Sequence, residues 1–331
     1  MTYQYPHINP YDLNAPQSDL YIHAHLTHNN LAADDYKLLD FRLNRRQHLL
    51  RALFHLLCHT NPHVALRLAA TQFLHPRRRP LTYPARLPSG ARRIEVFHNL
   101  RKLIGYTWGT GPQTIVLVHG WESHLGSMLP LVEPLTAAGF RVVAVDGPGH
   151  GQSPGWYTQM LDFGEAVRCV IEQHSPVYGV IAHSFGASAT ALMLSHEPES
   201  TLQNLILLAP LAQLDDHIAH FSRLFGVPDG LAEPLRDHIQ SHIWRLLSAC
   251  DVSVAVGKLR ARGLVVHDPA DHVVPFSSSA EIALNWPGSA LKIIKGVGHR
   301  RLLDSPQLAA LVTDFLREPQ PKWSGWLDYS G

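Results

Sequence analysis

Apolar residues fall along this chain in two rhythms. Short, almost unbroken runs rich in β-branched side chains occur at Ile115-Val116-Leu117-Val118, Val142-Val143-Ala144-Val145, Val177-Tyr178-Gly179-Val180-Ile181, Leu205-Ile206-Leu207-Leu208, Gly263-Leu264-Val265-Val266 and Leu291-Lys292-Ile293-Ile294. Runs this short, each followed by turn residues, predict strands buried on both faces, as in a parallel sheet. The other rhythm is helical. Leu49, Leu50, Leu53, Phe54 and Leu57 share one helix face, and Leu66, Leu68, Ala69 and Phe73 share another. The first of these helices is expected to start near Asp34-Asp35, acids suited to a positive helix end, and the second at Asn61-Pro62, a cap followed by proline. A long stretch separates Ala209-Pro210 from the next strand. Within it Leu214, Ile218, Phe221 and Leu224-Phe225, then Leu235, Ile239, Ile243 and Leu246-Leu247, recur at helical spacing, with Gly226 to Pro234 breaking the two.

The turns at the carboxyl ends of these strands carry the candidate chemistry. Ala182-His183-Ser184-Phe185-Gly186 comes straight after a buried run and places Ser184 on a strand-to-helix hinge. A serine hydroxyl is a weak nucleophile at neutral pH, so it must be held clear of the sheet, beside a base and near backbone donors, and a tight turn with small neighbours does this. Other strands end in His119-Gly120-Trp121, in Asp146-Gly147-Pro148-Gly149-His150-Gly151-Gln152-Ser153, in His267-Asp268-Pro269-Ala270-Asp271-His272-Val273-Val274-Pro275 and in Gly296-Val297-Gly298-His299. Together these motifs resemble the α/β-hydrolase superfamily from about Arg93 to Arg317. Ala182 departs from the pattern, standing where the first glycine of the elbow usually stands. The combination H-G-W-E, D-G-P-G-H-G-x-S-P-G and G-H-R-R-L-L is similar to a group of bacterial α/β-fold hydrolases with a helical extension before the first strand.

The resemblance implies a mostly parallel sheet flanked by helices, an N-terminal helical extension (1–92), a body (93–210 and 253–331) and a small helical cap (211–252) after the sixth strand. It also implies the chain order serine, acid, histidine, with Ser184 as nucleophile, Asp271 as acid and His299 as base. Asp268, three residues earlier, stays open as an alternative acid. Asp146 is read as fixing its own Gly-Pro turn, and His183 and His119 as structural imidazoles beside the elbow and the oxyanion hole. The tetrahedral oxygen would lie against the backbone N–H groups of Trp121 and Phe185. Candidate pocket walls are Trp121, Met128, Trp156, Tyr157 and Phe185 beside the loops, with Phe221 and Phe225 from the cap. Trp156 and Tyr157 read equally well as packing residues, and the cap stripes as contacts holding the lid to the body.

The implied activity is carboxylic ester hydrolysis through an acyl-enzyme, without metal or organic cofactor. The same three residue types also serve thioesters, amides, acyl transfer, carbon–carbon hydrolysis and perhydrolysis, and a ligand-binding module without turnover is a reading of another class. Dehalogenase and epoxide hydrolase chemistry is disfavoured, because those relatives carry a carboxylate at the elbow.

Composition narrows this further. A chain of 331 residues, 45% apolar, suffices for a large core in a single α/β unit with insertions. No apolar run is long enough to span a bilayer, and Met1-Thr2-Tyr3-Gln4-Tyr5 lacks a signal pattern, so a cytoplasmic protein is expected. Cys58, Cys169 and Cys250 are widely spaced in apolar helical contexts and read as buried thiols. A net charge of +1 argues against a dedicated nucleic-acid binder. The charge is uneven, however: from Phe41 to Arg93 there are many arginines, including Arg77-Arg78-Arg79, and no acid. That stretch reads as helices docked on the body with solvated arginines, or as a weak contact with anionic membrane. His55 with His59, and His220 with Asp216, share helix faces, but no metal-site spacing accompanies them.

Overall fold

The apolar runs assemble into one eight-stranded sheet in the computed structural model, whose described residues are 45–78, 81, 83–197, 202–242 and 251–318. Among the described residues, two α-helices precede the sheet, α1 (Arg45–Thr60) and α2 (Pro62–Leu74). Strands β1 (Arg92–His98) and β2 (Arg101–Trp108) form an antiparallel hairpin. The strands β3 (Thr114–Val118), β4 (Arg141–Val145), β5 (Val177–His183), β6 (Asn204–Leu208), β7 (Arg262–His267) and β8 (Ser289–Ile293) run parallel to one another, in the order β1-β2-β4-β3-β5-β6-β7-β8. The six parallel strands coincide with the six apolar runs. The β1–β2 hairpin has no such run: β1, at the sheet edge, begins with two exposed residues and alternates buried, exposed, buried only over Val96, Phe97 and His98.

Alternation of side chains divides the core into two layers. Val116 and Val118 of β3 and Val180 and Ala182 of β5 face one layer, which is shared with α3 (Met160–Gln173) and α4 (Phe185–Leu194). Ile115, Leu117 and Ile181 face the other, which is closed by the segment 125–135 and the last described helix, Pro306–Arg317. The chain leaves β3 for β4 on one side and later returns to place β5 on the other. This reversal opens a crevice at the carboxyl ends of β3 and β5, where ligands bind in open α/β sheets.

After β6 the described residues of the cap segment include two α-helices, α5 (Leu214–Phe225) and α6 (Ala232–His242), tied by Arg236 donating to both carboxylate oxygens of Asp215 at 2.9 and 3.0 Å. Ile218, Phe221, Leu235 and Ile239 are buried, as the stripes predict. Ile243, Leu246, Leu247 and Cys250 lie outside the described residues, as does the expected helix start at Asp34-Asp35.

The Asn61 side chain accepts from the Val64 N–H at 3.3 Å with Pro62 in the first turn, so α2 begins where its cap motif places it. The helix buries Ala65, Ala69, Ala70, Phe73 and Leu74. It packs on α6, and α1 packs on α5, so the extension forms an outer layer over the cap rather than docking only on the body. One expectation for this hairpin is corrected. Leu49, Leu53 and Leu68 face solvent, while Phe54 and Leu66 of the same stripes pack against the core and Leu57 is half-buried. The arginines whose side chains are described are exposed, as expected, and two of them also bond the body: Arg77 pairs with Glu122 at 2.9 Å, and Arg78 donates to the carbonyls of Ser153 and Gly155 at 2.7 and 2.8 Å. Among the described residues, no helix is long and apolar enough to cross a membrane.

Candidate active site

Ser184 sits between the last residue of β5 and the first of α4 with φ 54° and ψ −128°, a conformation that costs a non-glycine residue of order 1–3 kcal/mol. The surroundings hold it there. Its N–H donates to Leu208 O at 2.8 Å, anchoring the turn to β6, and its own carbonyl accepts from Ala187 and Ser188 in the first turn of α4. A side chain at Gly186 would stand 2.1 Å from the His119 carbonyl, so only glycine lets α4 approach the loop after β3 this closely. Ala182, in place of the usual glycine, is accommodated with its methyl fully buried.

The imidazole of His299 reaches this serine from the short helix Gly298–Arg301 after β8, rather than from a glycine-rich loop. Its Nε2 lies 2.9 Å from Ser184 Oγ and its Nδ1 2.6 Å from Asp271 Oδ2. With a carboxylate accepting at Nδ1–H, Nε2 is the free acceptor for the serine O–H. Asp271 is buried, and its other oxygen accepts from the N–H groups of Val273 and Val274 at 2.7 and 3.0 Å. His267, fully buried, approaches Asp271 Oδ2 at 3.4 Å and is itself held by Ser279 Oγ at 2.5 Å. Burial alone would raise the Asp271 pKa, but the His299 charge and the hydrogen bonds from both imidazoles outweigh it and hold the carboxyl well below the usual range. Ser184, His299 and Asp271 therefore form one continuous hydrogen-bonded chain.

The alternative acids have other contacts. Asp268 accepts from Ala270, Val297 and Gly298 at 2.9, 2.6 and 2.5 Å, bonding the segment that carries His299 to the loop that carries Asp271. Burial would raise its pKa, and these backbone donors lower it. Asp146 accepts from Leu125 N–H at 2.7 Å, Gln152 N–H at 2.8 Å and the Tyr83 hydroxyl at 2.5 Å. It thus joins three loops rather than only its own turn.

Buried neutral histidines stitch the loops together. His119 donates from Nδ1 to Gly120 O at 2.8 Å and accepts at Nε2 from Gly147 N–H at 2.9 Å, which requires an uncharged ring. His150 does the same between Pro148 O and Glu122 N–H, at 2.9 and 3.1 Å. Burial pushes their pKa values down to about 4 and about 3. His183 lies beneath the elbow and donates from Nε2 to the His299 carbonyl at 3.1 Å, with burial and the neighbouring His299 holding it at about 3.

Gly120 lies against the serine, since a side chain there would come within 3.0 Å of Ser184 Cβ. Among the described residues, the backbone N–H groups of Trp121 and Phe185 have no acceptor. The rings of these two residues pack edge-on at 5.0 Å. Over them comes a feature that sequence reasoning missed: His217 of α5, with its ring 6.0 Å from Phe185, 6.4 Å from Trp121 and 5.0 Å from Phe73. It holds the i+3 slot of the Leu214, Ile218, Phe221 stripe, which is the only signal that marked it.

Phe221 stands beside this group, edge-on to Phe73 at 5.5 Å. The side chain of Phe225 lies outside the described residues. Three expected walls are elsewhere. Met128 is fully buried in the layer containing Ile115 and Leu117, separated from Trp121 and Phe185 by the sheet. Trp156 is 75% exposed and stacks on His75 at 4.8 Å, while Tyr157, half-buried, packs edge-on to the same imidazole. Both serve the junction of the extension with the body. No group of three or more His, Cys, Asp or Glu side chains that could hold a metal ion occurs among the described residues.

Solved structures share this architecture. The esterase Pf2001 of Pyrococcus furiosus superposes with a TM-score of 0.58 at 21% identity, covering 73% of this chain and 97% of that one. The esterase EaEST of Exiguobacterium antarcticum superposes with a TM-score of 0.55 at 19% identity, covering 69% and 100%. The chain has the α/β-hydrolase fold. Residues 111–241 match the family model of serine aminopeptidase, S33. A monoglyceride lipase homolog of Monkeypox virus is 32% identical over 117 residues, which are 32% of this chain and 41% of that protein. A pimeloyl-[acyl-carrier protein] methyl ester esterase of Nitrosomonas europaea is 33% identical over 103 residues, 31% and 39% of the two. The chain thus spans about two fifths of the length of these relatives.

Proposed function

We propose that this α/β-hydrolase is a serine hydrolase that cleaves carboxylic esters through an acyl-enzyme formed on Ser184. The observation that carries the reading is the His299 imidazole, bonded at once to Ser184 Oγ at 2.9 Å and to Asp271 Oδ2 at 2.6 Å. In the first step Ser184 Oγ attacks the ester carbonyl and its proton passes to His299 Nε2. Asp271 stabilises the imidazolium and keeps Nδ1 turned toward itself. The tetrahedral oxygen takes the unpaired N–H groups of Trp121 and Phe185, donors already oriented before charge develops. The C–O bond to the alcohol then breaks and His299 returns its proton to the leaving oxygen. Water repeats the sequence on the acyl-serine and releases the acid.

The relatives named as esterases and as a lipase homolog support the choice of ester chemistry. A cytoplasmic enzyme fits Cys58 and Cys169, both free thiols. Hydrolysis of p-nitrophenyl acetate and butyrate by wild type and Ser184→Ala tests the reading. The variant is expected to fold normally and lose about a thousandfold or more of kcat. Retained activity in folded Ser184→Ala would overturn it.

A further inference from the structure

The N-terminal hairpin reaches the candidate site through one contact chain. Phe73 of α2 is 5% exposed and lies 5.0 Å from the His217 ring and 5.5 Å from Phe221, both on the cap. His217 in turn lies against Phe185 and Trp121, the two residues whose backbone N–H groups flank Ser184. This ring thus packs from the cap helix against both residues that flank the serine. It is also unlike its neighbours. Phe73, Phe185 and Phe221 are buried carbon surfaces, whereas His217 is half-buried and carries two ring nitrogens that donate or accept. In an aromatic cup, such a placed polar group fixes ligand orientation and discriminates between ligands.

We propose that His217 contacts the substrate beside the ester group and that Phe73 positions it, so that the N-terminal hairpin sets a preference for esters bearing a hydroxyl or carbonyl oxygen within a few bonds of the scissile carbonyl. The proposal rests on the reading of Ser184 as nucleophile. Apolar parts of such a substrate pack on Trp121, Phe185 and Phe221, and its extra oxygen exchanges a hydrogen bond with water for one with the imidazole. The hairpin is held in place for this task by Arg77 on Glu122, next to Trp121, and by Arg78 on the Ser153 and Gly155 carbonyls.

The test compares kcat and KM for matched esters in the full-length protein. The acyl-side pair is p-nitrophenyl 3-hydroxybutyrate and p-nitrophenyl butyrate; the alcohol-side pair is 2-hydroxyethyl butyrate and propyl butyrate. Wild type is expected to favour the oxygenated member of at least one pair. His217→Phe, which keeps an aromatic ring against Phe73, should erode that ratio of kcat/KM by about fivefold to tenfold, the worth of one hydrogen bond. His217→Gln should retain part of it, and Phe73→Leu should raise KM for the oxygenated ester with little change in kcat. Fluorophosphonate labelling of Ser184 is run on each variant. Labelling with no preference in wild type, or with an unchanged ratio in His217→Phe, would overturn the role of His217 alone. Absent labelling in folded wild type would overturn the nucleophile reading and this proposal with it.

Discussion

Asp268 and Asp271 stand three residues apart on one loop and do different work, although nothing in their immediate sequence separates them. Asp271 faces two imidazoles, whereas Asp268 faces backbone N–H groups about thirty positions further along the chain, at Val297 and Gly298. Long-range partners of that kind leave no local pattern, which is why sequence alone kept both acids open. The same holds for His217, and for Met128, whose place on the far side of the sheet depends on how the segment after β3 folds back. Ser184 and His299 were legible as candidates because Ser184 directly follows β5 and His299 follows β8 after a short glycine-containing turn. The two acids can be told apart by experiment. Asp271→Asn is expected to leave His299 in the wrong tautomer and lower kcat by about a thousandfold or more. Asp268→Asn should lower the melting temperature and cost kcat about tenfold or less. Steady-state kinetics and thermal melts on the pair check this, and a larger kcat loss in Asp268→Asn would reverse the assignment.

At the level of elements, the parallel strands were written in their apolar runs, because a strand buried on both faces has no polar alternation to obscure it. The β1–β2 hairpin lay at an edge and carried no such run. Helix α2 was legible from Asn61-Pro62, since a cap is a local device. Its partner α1 was not: Leu49, Leu53 and Leu56 all point outward, so its apolar periodicity does not reveal which side meets the cap. The segment between α2 and β1 joins the extension to the loops after β4 through Arg78, whose guanidinium gives the Ser153 and Gly155 carbonyls their donors. Arg78→Ala is expected to destabilise the fold by about 1–3 kcal/mol, read as a shift of the urea midpoint at constant slope. An unchanged midpoint would mean that the Arg78 bonds do not hold the extension in place.

For the whole molecule, the buried histidines set a limit on acid stability. His119, His150 and His183 stay neutral in the fold, with pKa values held by burial to about 4, about 3 and about 3. In the unfolded chain each binds a proton below about pH 6.5. The unfolded state therefore holds up to three more protons between about pH 6.5 and pH 4, and stability must fall as pH drops through that window while staying intact above it. Asp162 and Asp271 have pKa values lowered from the carboxylate range, by His98 and Arg101 in one case and by His299 and His267 in the other, each against the raising effect of burial. Their contributions are present above about pH 4 and are lost below it, so they extend the loss of stability beyond the histidine window to lower pH. Thermal melts from pH 8 to pH 4 are expected to show a melting temperature that is nearly level at first and drops below about pH 6.5. A melting temperature that stayed flat down to pH 4 would show that these imidazoles do not remain neutral.

The proposed chemistry depends at every step on an activated Ser184 hydroxyl, and fluorophosphonate labelling with mass spectrometry of the modified peptide measures that without choosing a substrate. The account predicts one adduct, on the peptide containing His183-Ser184-Phe185, absent in Ser184→Ala and strongly slowed in His299→Ala. A folded wild-type protein that takes no label, or takes it at another serine, would contradict it.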